Sequence, residues 1–121
     1  MRLRSQMRRL KNAAGWNGRD IESSLKIAEG RAVRVEWKDK YLFDDFDEVE
    51  KAWKKIDLFS MGAIYLIDSL RSTLARTRED TARCLEHRNE DGNISFVDAV
   101  LYRHHCEDIE LKATEFDQEL K

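Results

Sequence analysis

Residues 60–87 read SMGAIYLIDSLRSTLARTREDTARCLEH, and this stretch decides the fold class. Ser60 can cap a helix whose apolar stripe runs through Leu66, Leu70, Leu74, Thr77, Thr81 and Leu85, the three-to-four spacing of a helix face. At 1.5 Å per residue such a helix is about 40 Å long. Its halves differ in character. Met61 to Ile67 is apolar on most faces and is expected to be buried, whereas beyond Thr77 the stripe thins to threonine and arginine accumulates around it. A strand over Ala63 to Ile67 is the competing reading of the apolar half.

Downstream, Asn89 to Asn93 interrupts the helical pattern with Glu90, Asp91 and Gly92. Ser95 then caps a last helix with Asp98 in the capping-box position. Its expected stripe is Val97, Leu101, Ile109, Ala113, Phe116 and Leu120, interrupted by His104 and His105. Two long helices with a short connection pack antiparallel, so residues 60–121 are expected to form a helical hairpin.

Upstream, Asp44 or Asp45 can cap a helix from Asp45 to Leu58 carrying Phe46, Val49, Trp53 and Ile56 on one face. Lys51, Lys54 and Lys55 sit near the end that the helix dipole prefers for cations. Residues 1–14 form a basic amphipathic helix, with Leu3, Met7, Leu10 and Ala14 as its stripe. It is expected to stop at Gly15, with Trp16-Asn17-Gly18 as a turn. Asp20 can then cap a short helix through Ile21, Leu25 and Ala28, closed by Gly30. The alternative is a small β-hairpin between Leu25 and Phe43. It would set Leu25 and Ile27 against Val33, Val35 and Trp37, turn at Glu29-Gly30, and be followed by Tyr41, Leu42 and Phe43. The expected fold is therefore mainly α, a helical bundle with a long C-terminal helical hairpin and, on the alternative, a small β-hairpin near residues 25–43.

Composition agrees with that class. The chain has 121 residues, no proline and 38% charged side chains, with a mean hydropathy of -0.70. One domain spanning residues 1–121 is expected, since a chain this long can bury roughly two thirds of its unfolded surface around a single core. The longest apolar run, Met61 to Ile67, is seven residues, against about 20 for a membrane span. The N-terminus lacks the apolar stretch and cleavage site of a secretory signal, so a reducing cytoplasm is expected, with Cys84 and Cys106 as thiols. The net charge of -2 conceals a polarity: the first 40 residues carry a net +6 and the remainder a net -8. A basic head can bind an external polyanion, fold back on its own acidic body, or reach that of a second copy.

The twelve residues His87 to Asp98 resemble the EF-hand calcium loop. Asn89, Asp91 and Ser95 stand at its third, fifth and ninth positions, Gly92 at the sharp turn and Ile94 at the apolar eighth. The resemblance implies a degenerate metal-binding loop with Asn89, Asp91, Ser95 and Asp98 as ligands. It departs from the pattern at both ends, where His87 replaces aspartate and Asp98 replaces glutamate, and each departure removes an anionic oxygen that calcium wants. The plainer reading is a helix end at Gly92 followed by an N-cap at Ser95. A zinc cluster of Cys84, His87, His104, His105 and Cys106 fares worse, because His104 and His105 point about 100° apart and His104 lies off the level of Cys84 in an antiparallel hairpin. Buried cysteines and surface histidines are expected instead, with no cofactor. No nucleophile motif or phosphate loop accompanies Cys84 or His104, and Glu107, Asp108 and Glu110 read as a solvated face, so no enzymatic activity is expected.

The functional lead is the basic segment: Arg2, Arg4, Arg8, Arg9 and Lys11, with Trp16 as a stacking surface. It can pack structurally through Leu3, Met7 and Leu10, dock a protein, or contact phosphates. Aromatic anchors for membrane adsorption are lacking on its apolar face. Trp53, Phe46, Tyr65, Phe96 and Phe116 are expected in the core, while Trp37 and Tyr41 are candidates for a partner surface. The leading expectation is a non-enzymatic binding or regulatory protein of a bacterium or mobile element, acting through helical, charged surfaces on a protein partner. The alternative is nucleic-acid binding by the basic helix, and the second alternative is the degenerate EF-hand-like metal site. A homodimer through the long helices is also expected, on the ground that the threonine and leucine stripe exceeds what one chain can cover.

Overall fold

The computed structural model describes residues 2–28, 30–35, 39–55 and 61–120. Among these, four helices dominate: α1 (Arg2–Ala28), α2 (Asp39–Lys55), α3 (Met61–His87) and α4 (Phe96–Glu119). Two short strands, β1 (Val33–Arg34) and β2 (Asn93–Ile94), form an antiparallel pair with Val33 opposite Ile94 and Arg34 opposite Asn93. The protein is mainly α, with a long C-terminal helical hairpin and a minimal sheet.

α1 is one helix where the sequence reading broke it in two. Gly15, Trp16, Asn17 and Gly18 are all helical. Both glycines face α4: a Cβ on Gly15 would come within 2.8 Å of the flexible end of Glu110, at Oε1, and one on Gly18 would meet Cys106 Cβ at an ordinary 3.7 Å. Burial of this face of α1 outweighs the roughly 1 kcal/mol per residue that glycine costs a helix. The stripe of Leu3, Met7, Leu10 and Ala14 continues across this point to Ile21 and Leu25, and all six are buried.

The hairpin expected at residues 25–43 is corrected in the same way. Leu25 and Ile27 lie in α1, and Leu42 and Phe43 in α2. Val33 and Arg34 are the strand, yet their partner is β2 in the α3–α4 connection. Asp44 and Asp45 are interior to α2 rather than its cap, because Leu42, Phe46 and Val49 extend one buried face toward the N-terminus. Trp37, Ile56, Leu58 and Ser60, and the side chains of Arg2 and Tyr41, lie outside the described residues.

α3 is helical through Ala63 to Ile67, which removes the strand reading. Its Leu66, Leu70, Leu74, Thr77 and Thr81 are all buried within the chain. Two threonines satisfy their hydroxyls locally or across to α4: Thr77 Oγ1 donates to the Thr73 carbonyl (2.7 Å), and Thr73 Oγ1 donates to Asp108 Oδ2 (3.2 Å) while accepting from Lys112 Nζ (2.8 Å), whereas Thr81 Oγ1 is buried with no hydrogen-bond partner among the described residues. Since the chain covers this stripe itself, it supplies no ground for a dimer. Arg83 to Asp98 (3.1 Å) and His105 to Asp80 (2.6 Å) continue the antiparallel ladder of polar contacts between α3 and α4.

α2 packs on α1 and meets α3 through arginines laid over aromatic rings. Arg71 Cζ lies 5.8 Å from the Trp53 ring centre and Arg78 Cζ 4.8 Å from that of Phe43. Glu50 and Asp47 hold the same arginines at 3.2 Å. The core divides in two. A larger cluster joins the N-terminal part of α1, α2, the first half of α3 and the C-terminal half of α4. A smaller one joins Ile21 and Leu25 to β1, Ile94, Cys84, Tyr102 and Cys106.

Ser95 caps α4 as expected, its Oγ accepting from the Asp98 backbone N–H at 3.1 Å. Ser95→Ala is expected to lower stability by about 0.5–2 kcal/mol, read as a shift in the denaturation midpoint at constant slope. Two other expectations fail on α4 and α3. Val97 is 74% exposed and Tyr65 70% exposed, so neither belongs to the core. On α4 the buried face is instead Ala99, Tyr102, Cys106, Ile109, Ala113 and Phe116.

Candidate functional site

The basic N-terminal residues separate into two groups. Arg4 is structural: its Nη2 donates to the Leu120 carbonyl at 2.8 Å, and its Nε stands 4.0 Å from Asp117. Arg9 Nη2 pairs with Asp45 Oδ1 on α2 at 2.7 Å. Part of the basic head thus folds back on the chain's own acids. Arg8 is exposed and Lys11 half-exposed, and Trp16 is half-buried beyond them. Because α1 runs unbroken, the same outward face continues through Asn12 and Arg19, both exposed, to Lys26, which pairs with Glu22 at 3.8 Å. Arg8, Asn12, Trp16, Arg19 and Lys26 follow one another at spacings of four, four, three and seven, a single helix face.

No acid occurs in α1 before Asp20. Leu3, Met7, Leu10, Ala14, Ile21 and Leu25 are all spent on the core, so the outward side from Arg8 to Arg19 is a cationic strip on a supported helix. Arg19 and Asn12 were missed by sequence reasoning for one reason: a helix ended at Gly15 cannot carry a face beyond it. The signal was the continued three-to-four spacing of Ile21 and Leu25 with Leu10 and Ala14.

Burial raises the Asp45 carboxyl above its ordinary value; Arg9 opposes this, and Asp44 and Glu48 reinforce it. With the folded value raised, the native state binds more protons than the unfolded state between the two values. Stability is therefore expected to fall as pH rises through that window. Asp45→Asn should flatten this component, which thermal melts of both proteins across the acidic range would reveal as converging curves at low pH and diverging ones at neutral pH.

The calcium-like loop is held by its own hydrogen bonds. Gly92 adopts φ +82°, as its turn position requires. Asn89 Oδ1 accepts from the backbone N–H of Asp91 (3.0 Å) and of Asn93 (2.9 Å). Ser95 Oγ is occupied by the cap and Asp98 Oδ1 by Arg83. A cation here would have to compete with each of these bonds, leaving the Asp91 carboxylate as the candidate ligand that has no partner among the described residues. Among the described residues no group of three or more His, Cys, Asp or Glu side chains could hold a metal ion.

Cys84 and Cys106 are buried and neither is in a disulfide. Burial pushes the Cys84 thiol up, with Asp98 adding to the effect and Arg83 opposing it, which keeps it protonated and a poor nucleophile. His104 faces outward, 3.9 Å from Glu107. His105 faces α3 and Asp80 and is largely buried, contrary to the expectation of a surface histidine. The five cysteine and histidine positions do not converge. Comparison with protein-family models, curated proteins and solved structures finds no match to this chain.

Proposed function

We propose that this chain is a non-enzymatic binding or regulatory protein whose α1 presents Arg8, Lys11, Asn12, Trp16 and Arg19 to an acidic surface of a protein partner. The observation that carries this reading is the acid-free outward face of α1 from Arg8 to Arg19, on a helix whose stripe from Leu3 to Leu25 is buried in the core. Arginine, an amide and a tryptophan are side chains that make strong contacts at protein interfaces. A reducing compartment goes with this reading, since neither cysteine is in a disulfide.

A second reading has an observation of its own. Cations and an amide aligned along about 16 Å of helix between Arg8 and Arg19 also suit a run of phosphates. The experiment is affinity purification from the native host with the intact chain and with Arg8→Glu/Arg19→Glu, each with and without nuclease. A protein that the intact chain retains, the variant loses and nuclease leaves in place supports the proposal. Nuclease-sensitive capture, with affinity falling steeply as salt rises, would replace it with the nucleic-acid reading. Equal capture by both chains would overturn both.

A further inference from the structure

The buried interior changes character at one level of the bundle. On α1 the buried residues between Ala14 and Ile21 are Gly15, Asn17 and Gly18, and on α3 those between Leu74 and Cys84 are Thr77 and Thr81. Neither helix brings a buried apolar side chain to this level. The two stretches face the same turns of α4: Gly15 and Gly18 lie toward Glu110 and Cys106, while Thr73 bonds to Asp108 and Asp80 to His105. Here the larger apolar cluster ends and the smaller begins. Both polar atoms of the Asn17 amide, and Thr81 Oγ1, are buried without a hydrogen-bond partner among the described residues. A level with few apolar contacts and unmet polar groups ties the two halves together weakly.

The halves also differ in support. α2 gives Leu42, Phe46, Val49 and Ala52 to the larger cluster, and none of its described residues belongs to the smaller. The smaller half is built from the C-terminal ends of α1 and α3 and the N-terminal end of α4, closed by the pairing of β1 with β2, two residues each. Helix ends carry backbone groups without intrahelical partners, and a two-stranded pair has little stability of its own. A region with fewer buried apolar contacts opens at a lower free energy than the core beside it.

We propose that the smaller cluster is a separate cooperative unit, which opens while the larger one stays packed, with its boundary at the level of Asn17, Thr77 and Thr81. Cys84 and Cys106 both belong to this unit and are buried when it is closed. Its opening therefore controls the reactivity of both thiols at once. The division arises from packing and does not depend on the function proposed above.

Amide hydrogen exchange of the intact chain, followed by NMR in rising but sub-denaturing guanidinium, tests this. The amides of Ile21, Cys84 and Tyr102 are expected to share one opening, with a weaker dependence on denaturant than global unfolding. They should exchange faster than those of Leu10, Leu70 and Ala113 by a factor on the order of ten or more. Cys84 and Cys106 should react with an aromatic disulfide at a rate set by the same opening, each forming a mixed disulfide and releasing one aryl thiolate. Amides and thiols of both halves that respond only to global unfolding overturn the proposal. So does fast exchange at Cys84 with Tyr102 following the larger half, which is fraying of α3 alone. In Asn17→Leu the apolar side chain joins the clusters, and the difference between the halves is expected to shrink. A folded variant that keeps the full difference overturns the boundary at this level.

Discussion

Phe116→Ala is expected to remove roughly 3–5 kcal/mol of stability, the range seen when a fully buried phenylalanine leaves a cavity. Phe116 is completely buried and belongs to the larger of the two clusters, on the helix that packs against both α1 and α3. A cavity there loosens α4 from the helices it packs on, and the close-packed neighbours can collapse into the space only in part. A domain of this size has roughly 5–15 kcal/mol in reserve. The substitution should therefore move the denaturation midpoint far enough to leave the protein partly unfolded near 37 °C. A loss below about 1 kcal/mol would mean that the packing at this end of the bundle is not as described.

Asn17→Leu is expected to act in the opposite direction. Asn17 lies on the buried face of α1 at 3% exposure, and neither its Oδ1 nor its Nδ2 meets a hydrogen-bond partner among the described residues. A buried polar atom without a partner costs roughly 1–3 kcal/mol. Leucine has the same heavy-atom skeleton as asparagine, and it would bridge the two apolar clusters that now flank this position. Stability should rise by about 1–3 kcal/mol in chemical denaturation with an unchanged slope. A drop instead would show that the amide has a partner that leucine cannot replace. The comparison also tests whether Asn17 fixes the register of α1 against α4, as single buried asparagines do in helix pairs. If so, the leucine variant will show broadened amide resonances along α1 despite its higher midpoint.

What the sequence disclosed, and what it withheld, follows from how local each signal was. The α3–α4 hairpin was legible because its determinants sit together: Gly92 for the turn, Ser95 for the cap and a long stripe on α3. β1 was found as an alternation of Val33 and Val35 with charges, but its partner at Ile94 lies outside any local window. α1 was cut in two because Gly15 and Gly18 carry a turn signal in isolation, and only the packing of this segment on Glu110 and Cys106 of α4 shows that the helix runs through them. Val97 was assigned to the core because its spacing matches Leu101 and because a helix with apolar residues on both sides offers two stripes. Nothing in the sequence alone says which one faces inward. Of the candidate interaction strip, Arg8, Lys11 and Trp16 were identified, whereas Asn12 and Arg19 were lost with the continuity of the helix. Arg4 and Arg9, read as partner-binding, also make contacts within the chain, to Leu120 and Asp117 and to Asp45.

The packing of α1 against α4 sets an order of events at the ribosome. α1 emerges ahead of α4 with Leu3, Met7 and Leu10 ready to be buried, yet Ile109, Ala113 and Phe116, which help cover them, follow only about 100 residues later. At roughly 5–20 residues per second that is an interval on the order of 5–20 s. Throughout it the nascent chain offers a basic, amphipathic helix with its apolar side uncovered. The feature that secures the finished bundle therefore makes its synthesis a period of risk, in which a chaperone has more to hold than it would on a chain whose neighbouring helices pair in turn.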